Sequence, residues 1–222
     1  MKTRITLIAL CAWLFALCND GLAQSMAARD WDIRYSTGMP SEPKQGIGAW
    51  EFDFPPEWVT IPNRNRKKKP RKVEGSVNYV TTRYSQPLSG AVTMSFAVTG
   101  TGSPVFNYGF GPDNPCTTPA NVRFYIERGD ISFNNEFSRW WSNPISAQLA
   151  IGSTTLTAPF DPSLWSSVFG KVGTQAPSQF AAALQNVDFI GMTFGGGCFF
   201  GHGVNVLNGT AKFTVSEFKV VR

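Results

Sequence analysis

Three features of the amino-acid sequence predict an all-β chain folded as a β-sandwich of jelly-roll type, with two short helices confined to connections. Apolar and polar residues alternate through roughly eight short segments, Gly-rich turns separate them, and apolar residues at helical spacing occur in just two places. The composition agrees, with 16% charged and 42% hydrophobic residues, which is too apolar and too weakly charged for a disordered chain.

The order of elements begins with an export signal. Lys2 and Arg4 form its charged start, residues 5–17 are apolar but too short to span a bilayer, and Gly21-Leu22-Ala23 offers small residues for cleavage before Gln24. Residues 1–23 are therefore expected to leave, taking two basic residues and Asp20 with them. Eighteen basic and 14 acidic residues then remain, so the net charge falls from +5 to +4. Secretion to an extracellular or periplasmic compartment follows, with no transmembrane segment in the mature chain.

Residues 24–48 mix Pro, Gly, Ser and charge without a period, and read as an extended lead-in to one domain over residues 49–222. Phe52 and Phe54 alternate with Glu51 and Asp53 in a strand that Pro55-Pro56 stops, since proline lacks the backbone donor a ladder needs. A basic loop follows, carrying Arg64, Arg66, Lys67, Lys68, Lys69, Arg71 and Lys72. Residues 77–84 alternate again, and residues 91–99 do so most clearly, with Val92, Met94, Phe96 and Val98 on the core side. Val122, Phe124 and Ile126 oppose Arg123, Tyr125 and Glu127 in the next strand. Ala147, Leu149 and Ile151, a Gly152-Ser153 turn, then Leu156, Ala158 and Phe160 read as a hairpin.

The first helix is expected after Asp161, with Pro162 in its first turn, Trp165, Val168 and Phe169 as a stripe, and Gly170 as its stop. Pro177 opens the second, whose Phe180, Ala183, Leu184 and Val187 share one face. Ile190, Met192 and Phe194 resume as a strand. In the last strand Ala211, Phe213 and Val215 keep phase but Phe218 and Val220 have slipped by one, which predicts a β-bulge near Ser216.

The signal peptide, the alternating strands, the Arg139-Trp140-Trp141 segment and the closing strand together resemble a galactose-binding-like jelly roll of the carbohydrate-binding-module type, over residues 49–222. The resemblance implies a sandwich that commonly binds glycans and in some members holds a structural calcium ion. No other cofactor is expected.

Chemistry-bearing residues are few. Export removes Cys11 and Cys18, leaving Cys116 and Cys198 as a pair for one disulfide in an oxidising compartment. His202, the single histidine, sits among glycines in residues 195–203. One histidine without HExxH makes no zinc site, no Lys-Ser/Thr ending marks a phosphate loop, and no GxSxG elbow supports a serine nucleophile. Glu127, Asp130, Glu136 and Asp53 are the carboxylates from which a glycosidase pair could be drawn.

The richest segment for recognition runs from Arg128 through Asp130, Asn134, Asn135, Glu136, Arg139, Trp140 and Trp141, joined by Phe199, Phe200 and His202. It mixes rings that stack on sugar faces with side chains that bond hydroxyls. Adjacent tryptophans on a strand face opposite ways, so one of Trp140 and Trp141 is expected in the core and the other exposed. The basic run has no interleaved aromatics or recognition helix, so specific nucleic-acid binding is not expected. A noncatalytic secreted protein binding glycan or a cell-surface polysaccharide is the reading this supports. An envelope or matrix assembly protein and a glycoside-active enzyme stand as alternatives.

Overall fold

The computed structural model describes residues 22–23, 26–37, 40–63, 69–108, 118–129, 134–197 and 200–222. In chain order the strands begin with β1 (Leu22–Ala23), β2 (Trp31–Tyr35), β3 (Pro40–Ser41), β4 (Lys44–Gln45), β5 (Trp50–Asp53) and β6 (Trp58–Ile61). β7 (Arg71–Glu74), β8 (Val77–Arg83), β9 (Ala91–Thr101), β10 (Val105–Asn107), β11 (Asn121–Glu127) and β12 (Arg139–Ser142) follow. The remainder are β13 (Ala147–Gln148), β14 (Gly152–Pro159), β15 (Trp165–Ser167), β16 (Phe189–Gly195), β17 (Asn205–Leu207) and β18 (Thr210–Val221), with the helix α1 (Pro177–Gln185) before β16.

These strands form the expected all-β sandwich. One sheet has the order β14-β9-β18-β5-β4, with β1 also on β18; the other runs β15-β12-β11-β16-β8-β2-β3, with β13 on β11. All their pairings are antiparallel. The space between the sheets is filled by the alternate apolar residues of both. Phe213 lies 4.7 Å from Phe96, 5.4 Å from Phe52 and 5.3 Å from Phe194, ring centre to ring centre, so a single aromatic cluster joins the two layers. Each fully buried ring of this kind contributes about 1.5–3 kcal/mol. The register between β18 and β9 shifts between Val215 and Glu217, which is the bulge expected at Ser216.

Three expectations need correction. The lead-in is part of the sandwich: β2 pairs with β8, and Trp31 is fully buried 4.7 Å from Trp50 and 5.1 Å from Phe218. Its aperiodic flanks hid a five-residue strand whose Trp31 and Ile33 face the core. Residues 147–160 are not a hairpin, because β13 pairs with β11 in one sheet and β14 pairs with β9 in the other. The turn at Gly152 thus carries the chain between layers. The first helix is a single 3-10 turn (Pro162–Leu164), capped by Asp161 accepting from Ser163 N at 2.8 Å, and the chain then extends as β15 along β12. One turn of helix was legible, but pairing with an open sheet edge overrode its continuation. The second helix is α1, with Phe180 and Ala183 buried as expected.

β6 and β7 form a separate two-stranded ribbon on either side of the basic run. Trp58 on this ribbon is exposed, as are Arg71 and Lys72; Arg64, Arg66, Lys67 and Lys68 lie outside the described residues. Among the described residues no helix is long and apolar enough to cross a membrane.

Candidate functional site

On β11 the side chains of Val122, Phe124 and Ile126 enter the core, so Asn121, Arg123, Tyr125 and Glu127 belong to the outer face of the larger sheet. In the antiparallel register Tyr125 stands opposite Trp141 and Gly191, which places these residues side by side on that outer face. An outer face is ordinarily wet. Here Arg123 is 3% exposed, Tyr125 1% and Trp141 4%.

The cover is the segment after β16. Asn78 Nδ2 donates to the Gly201 carbonyl at 3.0 Å and Gly203 N donates to Phe194 O at 3.0 Å, which ties the segment down across the sheet. Gly201 is required there on two counts: its φ is +72°, and a Cβ would meet the Tyr79 hydroxyl at 2.2 Å. Phe200 is thereby laid over the Arg123 guanidinium, 3.8 Å from ring centre to Cζ, and its ring centre is 6.4 Å from that of Trp141.

Beside this cover lies a depression of about 410 Å³ lined by Trp141, Asn143, Ser167, Val168, Phe169, Gly170, Phe200 and His202. Phe169 stands at its rim, 74% exposed. The Trp141 indole N–H is buried and makes no hydrogen bond among the described residues. Burial pushes the His202 imidazole below its usual range, which keeps it neutral at pH 7. A second depression of about 330 Å³ shares Asn143 with the first and is lined by Thr118, Pro119, Asn121, Arg123, Pro144, Ser146, Gln148 and Gly197. The two adjoin at Asn143 as a groove whose rings all belong to the first depression, while amides, hydroxyls and Arg123 line the second.

Of the residues singled out from the sequence, Trp141, Phe200 and His202 line the first depression, Arg139 and Glu136 stand behind it against Trp141 and Ser167, and the other described ones lie elsewhere. Trp140 faces inward, fully buried 5.0 Å from the Phe180 ring, with Nε1 donating to Phe137 O at 3.3 Å. The two tryptophans do face opposite ways, yet neither is exposed, because the 200–203 segment covers Trp141. Arg139 is buried with its guanidinium 5.7 Å from the Trp141 ring. Arg128 and Ser138 close the far end of the β11–β12 hairpin through Arg128 N to Ser138 O at 2.8 Å. Asn134 and Asn135 are exposed there, and Asn135 Oδ1 accepts from Phe137 N at 2.9 Å to shape the turn. Asp130, Phe199, Cys116 and Cys198 lie outside the described residues.

The carboxylates have separate partners. Glu127 accepts from the Tyr125 hydroxyl at 2.6 Å with Arg34 at 3.9 Å, Glu136 accepts from Ser167 Oγ at 3.2 Å and Lys171 Nζ at 3.3 Å, and Asp53 pairs with Lys44. Burial, and next the Glu127 charge, hold the Tyr125 phenol well above its usual range, so it stays a neutral donor. Among the described residues no three His, Cys, Asp or Glu side chains gather where a metal ion could sit.

Sequence reading missed Asn121, Arg123, Asn143 and Phe169 as groove residues. Alternation alone placed Arg123 off the core face, but the wall it helps to build forms from segments far apart in the chain. The outer face of the smaller sheet has a shallow depression near Ser95, Ser153 and Thr155. Of its hydroxyls, Ser95 and Thr155 pair across the strands at 3.0 Å, and Ser216 Oγ donates to Ser95 O at 3.3 Å. No family model, curated protein or solved structure matches this chain.

Proposed function

We propose that this is an exported, noncatalytic glycan-binding protein, and that the groove on the outer face of its larger sheet is the binding surface. The observation that carries the reading is the adjoining pair of depressions sharing Asn143, in which the rings of Trp141, Phe169 and Phe200 stand beside amide, hydroxyl and imidazole groups. A pyranose presents one apolar face of C–H bonds and a rim of hydroxyls. It is met by a ring on one side and by hydrogen-bonding side chains around the edge. Export rests on the amino-terminal signal, and noncatalytic binding on the separate engagement of the carboxylates.

A glycan array probed with the wild type and with Phe169→Ala and Asn143→Ala tests this. Phe169 is largely exposed, so its truncation leaves the fold intact, and binding is expected to weaken by about tenfold or more in each variant, the loss of one stacking or hydrogen-bonding contact. Absence of binding to every sugar, or equal binding by wild type and both variants, removes the groove as a glycan site.

A further inference from the structure

Arg123 is a cation inside the protein without a counter-charge among the described residues. The residue is 3% exposed, and none of the ion pairs among the described residues includes it. Its hydrogen bonds go to neutral acceptors: Nε and Nη2 donate to Asn121 Oδ1 at 3.3 and 3.0 Å, and Nη1 donates to the Ser142 carbonyl at 3.4 Å. These bonds use one N–H of each nitrogen, and the guanidinium carries two on each Nη, so one remains on Nη1 and one on Nη2. Phe200 covers one face of the guanidinium plane, while the side chain also lines the 330 Å³ depression among Thr118, Asn143, Ser146 and Gln148.

Burying an unpaired charge is costly, and folding alone has no use for it here. An arginine fork with a free N–H on each terminal nitrogen matches the two oxygens of a carboxylate, and Phe200 and Asn121 hold that fork in place before any ligand arrives. Among the described side chains lining that depression there is no acid to compete for it. The basic balance of the chain, 20 Lys and Arg against 15 Asp and Glu, adds a general attraction for anions.

We infer that the groove selects an acidic saccharide and that Arg123 receives the carboxylate of a uronic acid residue. The inference deepens the glycan reading and rests on it for the sugar, while the anion site rests on Arg123 alone.

Two measurements separate these parts. In the first, the 15N-labelled protein is titrated with sodium acetate as the smallest carboxylate, following the side-chain Nε–H resonance of Arg123. A saturable shift that Arg123→Met abolishes from the spectrum, and that sodium chloride at equal ionic strength does not reproduce, is the expected result. Movement no larger than that caused by chloride overturns the anion site. In the second, calorimetry compares oligogalacturonate with its methyl ester, in wild type, Arg123→Met and Arg123→Lys. The acid is expected to bind wild type about ten- to a hundredfold more tightly than the ester, the range for a charge-assisted bidentate contact. Arg123→Met should bind the two alike, and Arg123→Lys should keep a reduced preference because it retains charge without the fork. Equal binding of acid and ester by wild type overturns the inference and leaves the glycan reading standing. An acetate response together with no binding to any saccharide on the array leaves the anion site standing and removes the sugar. Tighter binding of dextran sulfate than of oligogalacturonate overturns the carboxylate in favour of a sulfate ester.

Discussion

Replacing Arg123 by methionine tests whether the buried guanidinium serves the fold or a ligand. Desolvation lowers the group from its usual value to about 10. At ~1.4 kcal/mol for each tenfold change in proton affinity, keeping it charged at pH 7 costs the folded state ~3 kcal/mol. Methionine recovers that cost while filling a similar volume. It forfeits the stacking of the cation on Phe200, ~1 kcal/mol, and the bonds to Asn121 Oδ1 and the Ser142 carbonyl, ~1 kcal/mol each. The terms cancel to within ~1 kcal/mol, which for a chain of this size is a melting shift below ~4 °C. A guanidinium that holds a fold together through a buried ion pair behaves differently, and its loss costs about 3–5 kcal/mol. Urea unfolding followed by tryptophan fluorescence, with wild type and Arg123→Met side by side, reads the difference. Near-equal stability combined with loss of carboxylate preference is the expected outcome. A loss of ~3 kcal/mol or more would refute the reasoning, since the group would then be holding the sandwich itself.

Two further outcomes follow from the fold. Trp31→Ala should destabilise the protein by about 3–5 kcal/mol, the usual result of emptying a buried tryptophan site; a change within ~0.5 kcal/mol would mean that β2 is an appendage and the domain starts near Trp50. Cys116 and Cys198 should be bridged when the protein is produced in an oxidising compartment, because their flanks meet: Gly197 N donates to Thr118 Oγ1 at 2.7 Å, and Asn121 pairs with Gly195. Intact mass before and after reduction with thiol alkylation reads this directly, and two free thiols in protein produced that way refute it. With Cys198 standing 82 positions after Cys116, the bridge should contribute about 4–5 kcal/mol in the chain-entropy account.

Much of the architecture could be read from local pattern. A strand with one face on the core announces itself through period-two alternation, so Val92 to Val98, Val122 to Ile126 and Ile190 to Phe194 were identified with their inner faces correct. The phase slip between Val215 and Phe218 marked the bulge for the same reason. α1 was legible because Phe180 and Ala183 fall on one face of a helix packed on the core. Each of these features depends on residues a few positions apart.

Partner choice and cover were not legible, since both arise from contacts between residues distant in the chain. Whether residues 152–159 turn back on residues 147–148 or cross to the opposite layer depends on which edge is free, and that edge belongs to β9. β2 alternates over only five residues between aperiodic flanks, and that β8 lies beside it is not written in those residues. The amino acids at 121–127 specify that Arg123 leaves the core face, yet its burial, its want of a counter-charge and its place in a groove come from Phe200, Asn143 and Thr118, up to 77 positions away. Alternation is a local property of a strand, whereas desolvation is a property of everything packed around an atom.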